Sequence, residues 1–202
     1  KELCGKYGVV EIFNRLIKME KVLITGGAGF IGMNLALYLI KLGYIVSITD
    51  SKIPRCDKLI PFFRQVDLLE IDNLKDYFNE MSPEYVVHLG ARTDLDGETL
   101  SDYSANISGV YNVIAAINST PSVKKAIFAS SRLVCKLGYK PLDENDYLPT
   151  TAYGKSKVES EKIVKASKIN CEWCIVRPTS IWGPRFGIPY RTFFDTVRSG
   201  YY

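Results

Sequence analysis

Short apolar runs alternate along the chain with stretches in which apolar residues recur every three or four positions. The runs at 21–25, 45–49, 62–66, 84–89, 124–129 and 172–177 predict buried strands, and the helical patterns at 30–42, 70–80, 102–119 and 151–168 predict helices between them. Strands and helices alternating along the chain predict an α/β fold, a doubly wound parallel sheet flanked by helices. With 202 residues, 47% of them hydrophobic, the chain can bury one good core. No internal repeat, low-complexity tract or long linker interrupts the alternation.

The junction of the first strand and first helix carries the strongest chemistry. Lys21 to Gly32 reads KVLITGGAGFIG, an apolar run followed by Gly26, Gly29 and Gly32. Such glycines permit a tight turn, close approach of backbone to a pyrophosphate, and close packing of helix on strand. Free N–H groups at the helix start, where Phe30 and Ile31 lie, then face the anion with the helix dipole behind them. The second strand ends in Asp50, about 20 residues on, where a carboxylate can accept both ribose hydroxyls and would repel a 2′-phosphate. The cofactor expected is therefore NAD rather than NADP.

Charge and cysteine usage narrow the remaining classes. The formal net charge of +4 comes from scattered lysines and arginines, without the basic stripe of a nucleic-acid binder. No apolar stretch reaches the ~20 residues that span a bilayer. Five cysteines (Cys4, Cys56, Cys135, Cys171 and Cys174) have no disulfide framework spacing, which suits free buried thiols in a reducing cytoplasm. Cys171 and Cys174 form a CxxC within a predicted strand, and His88 is the single histidine, so no metal site is expected. His88 itself, in an apolar strand, reads as a buried hydrogen-bonded residue.

Tyr153-Gly154-Lys155-Ser156-Lys157 opens the last full helix and puts Tyr153 and Lys157 on one face. A tyrosine is a poor base at its ordinary pKa of ~10, but a neighbouring ammonium and the positive nicotinamide both favour the phenolate. Tyr153 can then exchange a proton with a substrate hydroxyl while hydride moves to or from the cofactor.

At this point the sequence resembles the extended short-chain dehydrogenase/reductase group of nucleotide-sugar epimerases and dehydratases, from about Lys21 to Arg185. TGGAGFIG at Thr25 to Gly32 is similar to the cofactor signature of that group. Asp50 resembles its ribose ligand, and Asp67 with Leu68 its adenine contact. HLGA at His88 to Ala91 looks like the strand beneath the nicotinamide ribose. The resemblance implies cofactor contacts there from Leu89, Gly90, Ala91 and Thr93, with Asn106 supporting the site. FASS at Phe128 to Ser131 resembles the strand that ends in the catalytic serine, and RPTSIWGP at Arg177 to Pro184 the segment that usually reads R-Y-F-N-x-Y-G-P. Carried over, Tyr153 is the acid/base, Lys157 holds the nicotinamide ribose, and Ser131 binds the reacting hydroxyl. Ser130 and Thr179 join the cofactor set.

Three departures bear on the reaction. Val134-Cys135-Lys136 replaces the usual V-Y-G, losing a substrate-side tyrosine and leaving a thiol near the pocket. Ser180 stands where an asparagine commonly meets substrate. Arg132 and Leu133 follow Ser131 where dehydratases place an acid, so epimerisation or reduction is expected over dehydration.

The expected organisation is an appended segment without function at 1–18, before a possible initiator Met19, with Val9, Ile12, Phe13, Leu16 and Ile17 on one helical face. A dinucleotide-binding Rossmann domain follows at 19–185, and 186–202 opens a substrate lobe that is largely missing. The resemblance further implies a nucleotide-sugar substrate and a homodimer paired through helices 102–119 and 151–168. A one-way nucleotide-sugar or keto-sugar reductase, a dinucleotide-sensing relative and an inactive cofactor-binding fragment are the alternatives.

Overall fold

The computed structural model describes residues 20–187 and 190–201. The apolar face at 9–17 and Met19 lie outside the described residues. Within them the elements run β1 (Lys21–Thr25), α1 (Phe30–Lys41), β2 (Ile45–Asp50), β3 (Phe63–Gln65), α2 (Ile71–Met81), β4 (Tyr85–His88), α3 (Ser104–Asn118), β5 (Lys125–Ala129), α4 (Ala152–Ala166), β6 (Glu172–Val176) and α5 (Tyr190–Arg198). All strand pairs are parallel, in the order β3-β2-β1-β4-β5-β6. This is the doubly wound sheet that the alternation predicts.

The differences from the expected boundaries have local causes. β3 begins at Phe63 because Asp57–Phe62 winds into a 3-10 turn around Pro61. α3 begins at Ser104 because a second such turn, Leu100–Tyr103, precedes it, started by reciprocal hydrogen bonds between Thr99 and Asp102. α4 stops at Ala166 because Ser167 is extended.

Two clusters pack against the sheet, one on each face, and a third, smaller one joins Val134, Cys135 and Val158. Leu23, Val86, Ala126 and Phe128 pack against residues of α2, α3 and α4. Val22, Ile24, Val46 and Ile48 pack against α1 and Leu59. Each fully buried aliphatic side chain of this kind contributes roughly 1.5–3 kcal/mol. The second cluster ends at β4. Beyond it, on the same face, Ile127 is 37% exposed and Val176 39%, and Cys174 is exposed beside Ile127.

Strand order reverses between β1 and β4, which opens a crevice at the carboxyl ends of those strands.

Candidate functional site

The turn after β1 holds its shape through glycine. Gly26 has φ +71°, and a Cβ there would stand 2.6 Å from the Gly90 nitrogen. At Gly32 it would stand 2.3 Å from the Gly26 carbonyl oxygen, so α1 seats on the turn only without a side chain. Gly27, which the spacing argument passes over, is equally constrained, since its Cβ would meet Ile48 at 2.5 Å. Gly29 differs: it is exposed, its φ is −73°, and the nearest obstacle to a Cβ is one carbonyl at 3.1 Å. Its bare side faces open space. At this end α1 has no capping side chain and no acid in its first turn, so the N–H groups at Phe30 and Ile31 are presented to an anion.

Asp50 lies over this turn. Its Oδ2 accepts the Ala28 N–H at 3.1 Å and its Oδ1 the Lys52 N–H at 3.1 Å. Asp67 is exposed and its Oδ1 accepts the Leu69 N–H at 2.9 Å, fixing the loop before α2. Leu68 is buried against Gly90, where a Cβ would be 2.7 Å from its Cδ1, and against Gly109 of α3. Leu89, Gly90 and Ala91 thus form one wall of the crevice opposite the glycine turn. Thr93 and Thr179 are exposed at its rim.

On the far side, the strand-end serines and the start of α4 converge. Ser131 caps the 3-10 turn Arg132–Val134, accepting the Leu133 N–H at 3.1 Å. Thr151 caps α4 through the Gly154 N–H at 2.9 Å. A Cβ on Gly154 would lie 2.3 Å from the Leu133 carbonyl oxygen, so the glycine of YGKSK lets α4 approach that turn. This brings Tyr153 beside Ser131. Lys157, 5% exposed, donates to the Ala129 carbonyl at 2.9 Å. Asn106 accepts the Arg92 N–H at 2.8 Å and donates to the Arg92 carbonyl at 3.0 Å and to Ser156 at 2.9 Å. Both amide hydrogens are used within the protein, so Asn106 braces the 89–93 wall against α4.

The electrostatics differ from the sequence expectation in one respect. Burial raises the Tyr153 pKa, the Ser131 hydrogen bond opposes that, and Tyr103, whose ring centroid is 6.0 Å away, raises it further. The phenolate therefore depends on positive charge brought close to the hydroxyl. Burial lowers Lys157 to about 8, with Glu161 opposing. His88, hydrogen-bonded to Thr25 at 2.7 Å, is lowered to about 3 by burial and then by Lys157. It is a buried neutral residue, as expected.

Several features lie outside the sequence reading. Arg177 and Tyr147 clamp a buried carboxylate, Glu161, directly below Lys157. Asn34 of α1 donates to the Pro184 carbonyl at 3.0 Å, drawing the segment after β6 across the crevice to the cofactor turn. The Cys135 thiol is not open to the pocket: it is 1% exposed, packed with Val134 and Val158. The expectation of buried thiols holds for Cys135 alone, since Cys56 and Cys171 are half-buried and Cys174 is exposed; Cys4 lies outside the described residues. Among the described residues, no group of His, Cys, Asp and Glu is placed to hold a metal, and no helix is long and apolar enough to cross a membrane.

Comparison with known proteins agrees with this geometry. Residues 22–199 match the NAD dependent epimerase/dehydratase family. A UDP-glucose 4-epimerase of Schizosaccharomyces pombe is 32% identical over 170 residues, 74% of this chain and 47% of that protein. A 3 beta-hydroxysteroid dehydrogenase/Delta 5-->4-isomerase of Mycobacterium tuberculosis is 26% identical over 203 residues, 91% of this chain and 53% of that protein. Among solved structures, the Bordetella bronchiseptica enzyme WbmG in complex with NAD and UDP aligns with TM-score 0.73 and 25% identity, over 89% of this chain and 60% of its own. The chain spans about half the length of the curated relatives it matches.

Proposed function

From the premise that this chain belongs to the NAD-dependent epimerase/dehydratase family, we propose that it is the cofactor-binding and catalytic half of a nucleotide-sugar epimerase or oxidoreductase. The observation that carries this reading is the convergence of Ser131, Tyr153 and Lys157 beside a glycine turn shaped for a pyrophosphate. The residues present fit a dinucleotide: an open Gly29, an uncapped helix start, and Asp50 above them. When bound, NAD supplies the hydride acceptor.

The chain's own groups do the rest. Ser131 orients a secondary hydroxyl toward Tyr153. Tyr153 takes its proton as the carbon is oxidised, and the cationic Lys157 favours the phenolate needed for that step. Reduced at the opposite face, the ketone would become the inverted alcohol, and at the same face the original one. Arg132 and Leu133, not acids, directly follow Ser131, which speaks against dehydration. The steroid dehydrogenase relatives support a second reading, oxidation of a non-sugar secondary alcohol by the same three residues. A second copy would pair through the outer faces of α3 and α4, where Tyr111 is 55% exposed.

The test is a panel of UDP-sugars and hydroxysteroids assayed with NAD in a chain extended to its relatives' length. Tyr153→Phe should lower turnover at least about 100-fold while leaving NAD affinity within about twofold. Ordinary turnover by that variant would remove Tyr153 from the mechanism. The 202-residue chain alone should bind NAD with no measurable sugar turnover, because remote binding energy normally orients the substrate.

A further inference from the structure

Glu161 is the most deeply buried carboxylate beside the site, and the proposed reaction does not use it. It follows Tyr153 and Lys157 at intervals of four along α4, so the three side chains share one helix face. Its side chain is 1% exposed. Arg177, at the end of β6, donates from Nε to Oε1 at 2.7 Å and from Nη2 to Oε2 at 2.6 Å. The Tyr147 hydroxyl donates to Oε2 at 2.9 Å, and the Lys165 ammonium stands 3.9 Å away. Ser130, the residue before the catalytic serine, faces the same carboxylate without a well-formed hydrogen bond.

A buried charge in this position needs a reason, because a Glu–Arg pair gains little over apolar packing once desolvation is counted. The reason lies one helical turn away. The Lys157 ammonium is almost fully buried and has a carbonyl, not a carboxylate, as its hydrogen-bond partner. Around it lie His88 of β4, which is neutral and feels its charge, Tyr153 one turn earlier on α4 with the Tyr103 ring 6.0 Å from it, and Ser130 and Ser131, which follow the Ala129 carbonyl it binds. Beyond Ser130 come Glu161, Arg177, Tyr147 and Lys165. Glu161 is the single anion in that set. A cavity of about 10 Å³ lined by His88, Ser130, Ser160 and Glu161 has room for one water at most, so the charges act across a poorly screened interior.

We propose that Glu161 is a positioning residue of the site: a buried counter-charge, fixed by Arg177 and Tyr147, that keeps the Lys157 ammonium charged behind the reacting tyrosine. This rests on the role given to Lys157 above. Arg177 then has two effects of opposite sign, holding the carboxylate in place and partly neutralising it. Without Glu161, Lys157 would share the interior with two cations and no anion, and would give up its proton at lower pH.

The experiment is carbon-13 NMR titration of the Lys157 Cε resonance in the 202-residue chain, assigned with Lys157→Arg and run with circular dichroism to verify folding. It needs no cofactor and no turnover, so it stands apart from any failure of the proposed reaction. Glu161→Gln keeps the shape and removes the charge, and should lower the Lys157 midpoint by about one pH unit or more. Arg177→Gln should raise it by about half a unit or more, because the carboxylate loses its strongest neutralising partner while Lys165 keeps it ionised. A folded Glu161→Gln protein with an unchanged midpoint overturns the proposal. If that variant does not fold, an unchanged or lowered midpoint in Arg177→Gln does so.

Discussion

The sheet is finished on one side of the crevice and open on the other. Around β1 and β2 both faces are packed: Leu23 lies under α2 and α3, and Ile24 and Ile48 lie under α1, all fully buried. At β5 and β6 only the face under α3 and α4 is covered, and Ile127 and Val176 remain more than a third exposed on the other. The cofactor turn, Asp50 and the 89–93 wall belong to the finished side. Ser131, Tyr153 and Lys157, the proposed catalytic set, belong to the other, where buried polar side chains are packed among the apolar ones. The proposed dinucleotide site thus rests on backbone shape, and the proposed acid/base site on charge.

That contrast breaks most sharply within the glycine turn. Gly32→Val would drive a branched side chain into the Gly26 carbonyl oxygen, 2.3 Å from the position of Cβ alone, and should abolish the folded state or cost at least several kcal/mol. Gly29→Val should leave the melting temperature within a few degrees and reduce NAD affinity by more than about tenfold, because its Cβ meets protein only at 3.1 Å and otherwise fills the space meant for phosphate. Normal NAD binding by Gly29→Val would make the turn a structural device only.

The two faces can be compared directly by denaturation. Leu23→Ala, in the covered cluster, should cost about 2–5 kcal/mol. Ile127→Thr, on the open face, should change stability by no more than about 0.5 kcal/mol. A large loss at Ile127 would show that something covers this face in solution.

His88 acts through pH. Its pKa falls from 6.5 to about 3 on folding, so the unfolded chain takes up a proton that the folded chain refuses. Its contribution is intact above pH 6.5 and is lost as pH falls toward 3, with a slope of at most about 1.4 kcal/mol per pH unit. His88→Gln should flatten that limb relative to the wild type in urea titrations at several pH values.

The same division decides what could be read from sequence. The strands β1, β2 and β4 were legible because parallel strands packed on both faces appear as apolar runs, β5 and β6 because their runs stay apolar although one face is open, and the glycines because few other residues tolerate that turn. Boundaries slipped by one or two residues where Leu100–Tyr103 and Asp57–Phe62 form 3-10 turns that apolar periodicity does not register. Tyr153 and Lys157 were visible through their spacing, but the raised pKa of Tyr153 was not, since burial is a property of the assembled site. Glu161, Arg177 and Tyr147 are separated in sequence and look like an ordinary solvated helix position, a strand end and a loop aromatic. Only folding brings them to one carboxylate.

The most direct test of a finished cofactor side in a chain of this length is calorimetric titration of the 202-residue protein with NAD and, separately, with NADP. The account predicts saturable one-site binding of NAD, at least about tenfold tighter than NADP, with the gap closing in Asp50→Ala. Absence of NAD binding by the folded chain, or equal affinity for the two cofactors, would contradict it.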